Sequence, residues 1–69
     1  MTPEEIQQIR LSMGVTQERF AALLGTTLTT VNRWENGRFK PSRLYIKEIQ
    51  NLRKKHELHL RRREEPKHT

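Results

Sequence analysis

The chain has 69 residues, 32% of them apolar and 32% charged, with no cysteine and a net charge of +6. A chain this short buries only about 60% of its unfolded surface, which predicts one domain of modest stability and no deep catalytic cleft. Lack of cysteine excludes a disulfide scaffold, a cysteine zinc finger and a thiol nucleophile; lack of a long apolar run predicts neither signal peptide nor membrane span, so the expected location is the cytoplasm.

The first element is announced by Thr2-Pro3-Glu4-Glu5. Thr2 can cap, Pro3 sits where its missing N–H does no harm, and Glu5 completes a capping box. Ile6, Ile9 and Met13 recur at helical spacing with Arg10 beside them, so a helix is predicted over about residues 3–13, ended by Gly14.

Thr16 caps the second helix, with Val15 and Phe20 placed as a hydrophobic staple. Phe20, Leu23 and Leu24 supply its apolar face, and Ala21 is small enough for another helix to cross closely. Gln17 stands in the first turn with its amide expected to be free. Gly25 stops the helix and Thr26-Thr27 form the turn.

The third helix is predicted over about residues 28–36, capped by Thr27 and stopped by Asn36-Gly37. At about 100° per residue, Val31, Trp34, Thr27 and Thr30 fall on one side and Thr29, Asn32, Arg33 and Asn36 on the other, with Leu28 and Glu35 at the boundary. The outward side holds a guanidinium, two amides and a hydroxyl, and no Glu or Lys. These groups can read base edges: Arg forks onto guanine, Asn onto adenine, and Thr or Leu methyls touch thymine.

Charge is divided unevenly along the chain. Residues 1–37 carry three arginines and four glutamates, net −1, whereas residues 38–69 carry eleven Lys and Arg and four Glu, net +7. Arg38, Lys40 and Arg43 surround Pro41-Ser42, where Ser42 can cap the last helix, so cations and free helix amides point the same way and suit a phosphate. Tyr45, Ile49, Leu52, His56 and His59 follow at helical spacing. The first half of this seam should pack on the core, and the seam Tyr45, Ile49, Leu52, His56 offers a surface for a dimer. The helix is expected to run to about residue 60, giving a domain over 1–60 and a basic, disordered tail over 61–69.

Other chemistries find little support. His56 and His59 could share a metal, but no Cys or Asp exists to complete a site, so no metal and no cofactor is expected. The two serines stand near helix ends with no His beside them, and no Asp is available for a triad, so an enzyme is not expected. The apolar face of the last helix is interrupted too often for a membrane surface.

The run from Arg10 through Val15-Thr16-Gln17, Phe20-Ala21, Leu24-Gly25, Val31 and Trp34-Glu35-Asn36-Gly37 to Pro41-Ser42 resembles the phage-repressor/Cro-like helix-turn-helix family of bacterial transcriptional regulators, also called the XRE family. The resemblance covers about residues 4–52. It implies that Gln17 contacts phosphate, that Thr27, Leu28, Thr29, Asn32 and Arg33 face bases or nearby backbone in the major groove, and that Arg10 and Glu35 bridge the first and third helices. The chain departs from the family in two places. Leu28 stands where many relatives place a polar reader, and one long helix replaces two shorter ones.

Residues and resemblance together predict an all-α, four-helix domain that binds double-stranded DNA as a sequence-specific transcriptional regulator, a repressor acting as a homodimer on a two-fold operator. Arg38, Lys40 and Arg43 join Gln17 as the phosphate contacts. Within the same fold the leading alternative is the antitoxin of a toxin–antitoxin pair, whose basic C-terminal segment grips an acidic toxin. A protein-interaction adaptor and an RNA binder follow, although an adaptor has no use for Arg33 beside Asn32, and single-stranded RNA calls for exposed aromatics, with Tyr45 the one weak candidate.

Overall fold

A computed structural model describes residues 1–64, with side chains as far as Leu60. It contains α1 (Pro3–Ser12), α2 (Gln17–Leu24), α3 (Leu28–Glu35) and α4 (Arg43–Glu64), with no strand among the described residues. The all-α, four-helix expectation holds. No described helix is long and apolar enough to cross a membrane.

Threonine caps open the first three helices. The Thr2 hydroxyl accepts the Glu5 N–H at 3.1 Å while Glu5 Oε1 accepts the Thr2 N–H at 2.9 Å, a complete capping box. The bond from the Thr2 backbone N–H, and after it the Thr2 hydroxyl, hold the Glu5 carboxyl below its ordinary value. Thr16 accepts from the Arg19 N–H at 3.1 Å, and Thr27 from the Thr30 N–H at 3.2 Å. Because each cap fixes where its helix begins, the turns between helices are short and the crossing of α2 on α3 is set by few residues.

That turn depends on Gly25, which lies in the left-handed region at φ 73°. There the chain reverses so that the Thr26 N–H reaches back to the Ala21 carbonyl at 2.9 Å, closing the end of α2. α3 starts two residues later.

The core consists of Ile6 and Ile9 from α1, Phe20, Ala21 and Leu24 from α2, Val31 and Trp34 from α3, and Ile49 from α4. Phe20, Val31 and Ile49 have no exposed surface. Tyr45 lies against Trp34 with ring centroids 5.3 Å apart and planes tilted by 56°, which fastens the start of α4 onto α3.

Three expectations are corrected by this packing. Leu23 was assigned to the apolar face of α2 but is 40% exposed, because Phe20, Ala21 and Leu24 already fill the side facing α3. The seam Tyr45, Ile49, Leu52, His56 does not stand free for a dimer: Ile49 is sealed in the core of its own chain, and Tyr45 and Leu52 pack against that core. Finally, α4 continues to Glu64, past residue 60. Of the tail expected over 61–69, residues 65–69 lie outside the described residues.

Candidate nucleic-acid interface

α2, the Gly25 turn and α3 form one rigid unit whose inner side is apolar and whose outer side is polar. Val31 and Trp34 point inward; Thr29, Asn32 and Arg33 are exposed, and Leu28 at the head of α3 is 46% exposed. Thr27 is exposed as well, but its hydroxyl is engaged at the cap, where it also shares a hydrogen with the Thr30 hydroxyl at 3.0 Å. What Thr27 can offer a groove is therefore its methyl group.

Behind the outer side lies a buried ion pair. Arg10 Nε donates to Glu35 Oε2 at 2.7 Å and Arg10 Nη2 to Glu35 Oε1 at 3.0 Å, with side chains 11% and 3% exposed. Arg10 Nη1 donates to the Val15 carbonyl at 3.0 Å, so one guanidinium joins α1, the loop before α2, and α3. Donating these hydrogen bonds to Glu35 raises the Arg10 pKa above its ordinary value, against the opposing effect of burial. A pair this enclosed persists because, among the described residues, no buried side-chain nitrogen or oxygen lacks a hydrogen-bond partner.

The pair also orders the amides in front of it. Gln17 Nε2 donates to Glu35 Oε1 at 3.1 Å, Asn32 Nδ2 donates to Gln17 Oε1 at 3.3 Å, and Asn36 Nδ2 donates to Asn32 Oδ1 at 3.0 Å. A carboxylate only accepts, so Gln17 must turn its NH2 toward Glu35 and its carbonyl toward Asn32, which fixes the orientation of the next amide in turn. The expectation that the Gln17 amide stands free is thus corrected. It is half-buried and engaged at both ends, with one N–H of Nε2 left to give.

At the other end of α3, Arg38, Lys40 and Arg43 are all exposed, close in sequence to the start of α4. Ser42 accepts the Ile46 N–H through its carbonyl at 2.9 Å and the Tyr45 N–H through its hydroxyl at 3.4 Å. The earlier amides of α4 have no intrahelical partner, and the three cations stand close to them in sequence. Between Arg38 and Lys40 stands Phe39, which sequence reasoning passed over; it is 57% exposed and carries the Arg33 guanidinium 5.2 Å from its ring centroid. An aromatic between two cations directly after a candidate reading helix was the available signal.

The family model for Helix-turn-helix proteins matches residues 6–60. The chain belongs to that family. These are the XRE-type, phage-repressor/Cro-like helix-turn-helix proteins, which bind double-stranded DNA as transcription regulators. No curated protein and no solved structure matches the chain. Within the helix-turn-helix, α2 and α3 are the two helices of the motif, and the matched span takes in α4 as far as Leu60. Among the described residues no group of three or more His and Glu is placed to hold a metal.

Proposed function

We propose that this helix-turn-helix protein is a sequence-specific repressor that reads the major groove with α3 and pairs on a two-fold operator. The observation that carries the reading is the composition of the outer side of α3: Thr29, Asn32 and Arg33 are exposed together with no carboxylate among them, and Glu35 is turned inward onto Arg10. A helix face meant only for water has no reason to exclude Glu and Lys while ordering its amides through a buried pair. Arg33 and Asn32 take base edges, Thr29 adds a hydroxyl, and Thr27 and Leu28 offer methyls to thymine at the head of the helix. Gln17, Arg38, Lys40 and Arg43 hold phosphates on either side and set the register.

Selection of bound fragments from a random duplex library tests this directly. The expected product is a two-fold repeat with half-sites about one helical turn apart. Transcription from a promoter overlapped by that repeat should fall when the protein is added; a rise would make it an activator, and a library without enrichment would remove the assignment.

A second reading, the DNA-binding antitoxin, is favoured by one observation. α4 continues to Glu64, well beyond Leu52, the last apolar residue of the described side chains packed on the core, and this stretch carries Arg53, Lys54, Lys55 and the exposed Leu58 and Leu60. Such a basic, partly apolar helix suits an acidic protein partner. In that reading Lys54→Glu with Lys55→Glu abolishes binding to an acidic toxin encoded beside it and leaves the preferred duplex unchanged.

A further inference from the structure

The loop after α3 is tied back to the residue whose side chain is assigned to a base. The Arg33 carbonyl accepts the N–H of Arg38 at 2.9 Å and that of Phe39 at 3.4 Å. Gly37, at φ 73°, makes this reversal possible, since a side chain there would be strained. The same reversal swings the Phe39 ring under the Arg33 guanidinium, whose central carbon lies 5.2 Å from the ring centroid. Phe39 is no core residue, being 57% exposed. Phe39 also lines a cleft together with Trp34 and Pro41.

Guanidinium chemistry allows the ring and a base to be served at once. The N–H donors of arginine lie in the plane of the group and fork onto guanine O6 and N7, whereas the faces of that plane are free to stack on an aromatic ring. An exposed arginine without such a partner samples many rotamers and loses that freedom on docking. We infer that Phe39 is a positioning residue for Arg33: its ring holds the guanidinium as a pre-oriented fork and so sets the preference for guanine at the base pair that Arg33 faces. The inference rests on α3 being the reader and adds to it a residue outside the helix-turn-helix motif itself.

The experiment takes the preferred duplex from the library selection and compares wild type with Arg33→Ala, Phe39→Leu, Phe39→Tyr and the double variant Arg33→Ala, Phe39→Leu. Loss of an exposed cation–π contact should lower the affinity of Phe39→Leu for the preferred duplex about two- to fivefold. It should loosen preference at the same base pair that Arg33→Ala loosens. Binding to scrambled duplex and the salt slope should stay as they are, since no charge is removed. Phe39→Tyr should restore the preference, and Phe39→Leu should add nothing in the Arg33→Ala background. Without DNA, the ring-current displacement of the Arg33 side-chain proton resonances should vanish in Phe39→Leu and persist in Phe39→Tyr, while the melting curves stay close to wild type. The inference is overturned if Phe39→Leu weakens both duplexes alike, loosens a different base pair, or acts undiminished without Arg33, because the ring would then touch DNA itself. If Arg33→Ala leaves every base preference intact, the assignment of α3 falls, and the positioning role falls with it.

Discussion

On one side of α3, Val31 and Trp34 are sealed at 0% and 3% exposure, whereas Asn32 and Arg33, their neighbours in the sequence, stand in solvent. The two sides also use arginine in opposite ways. Arg10, reaching the inner boundary of α3, is enclosed and satisfied by Glu35 and the Val15 carbonyl, so its charge has become part of the scaffold. Arg33, on the outer side, lies over the face of an exposed ring, which in the proposed reading leaves its in-plane N–H donors for another molecule. In that reading, stability and recognition are carried by opposite sides of one eight-residue helix, and substitutions on the two sides should separate them.

The largest effects belong to the inner side. Trp34→Ala removes the biggest side chain of the core and should cost about 3 to 5 kcal/mol, close to the whole stability of a domain this small. The expected outcome is a chain largely unfolded at room temperature by circular dichroism. A cooperative melt near that of wild type would show that the two sides are not divided in this way. Glu35→Ala strands the Arg10 charge in its enclosed site and should cost about 3 kcal/mol, whereas Arg10→Met with Glu35→Leu should recover much of that loss. Alkali gives a further check: because the folded pKa of Arg10 is raised, the stabilisation is fully present below its ordinary range and is lost only as pH rises beyond it. A melt unchanged between pH 7 and about 10 is therefore expected of this pair.

The outer side should answer to binding and not to heat. Arg33→Ala should cost about 1 to 3 kcal/mol on the preferred duplex and little on a scrambled one. Arg43→Ala removes the same charge but from the start of α4, and it should weaken both duplexes alike and lower the salt slope by about one. Isotherms at several salt concentrations distinguish the two. Equal losses on both duplexes for both variants would leave α3 without a reading role.

How far the sequence discloses this arrangement depends on the range of the interaction. Caps and turns are local, so Thr2, Thr16, Thr27 and Gly25 could be read from their neighbours, and the helix limits came within a residue or two for the first three helices. The α3 periodicity likewise separated Val31 and Trp34 from Asn32 and Arg33. Leu23 was misplaced because a two-turn helix needs only a narrow apolar stripe, and periodicity does not say which of three candidates lies off it. The amide chain from Glu35 through Gln17 to Asn32 was not legible, since it joins residues 15 to 18 positions apart by hydrogen bonds that no spacing encodes. Phe39 was missed because its partner lies across a chain reversal. The seam on α4 was seen as a pattern, but whether Ile49 closes a dimer or a core depends on where α2 sits.

The smallest effect sharpens the comparison from outside it. The capping box of α1 makes its hydrogen bonds within α1, away from the outer side of α3, so disturbing it should move stability slightly and base preference not at all. Thr2→Ala should cost about 1 kcal/mol and leave the operator-to-scrambled affinity ratio unchanged. Glu5 supplies the pH signature of the same box. Its hydrogen bonds to Thr2 depress its folded pKa, so its contribution is present above the ordinary carboxyl value of 4.5 and is lost as pH falls through the lower folded value. Glu5→Gln keeps the side-chain carbonyl that accepts the Thr2 N–H but cannot titrate. Wild type should therefore exceed this variant in melting temperature near neutrality, and the gap should close in acid, with Glu5 the source of the slope. A gap that stays constant down to pH 3 would mean that the carboxylate charge contributes nothing to the cap, leaving the Thr2 hydroxyl on the Glu5 N–H as its working half.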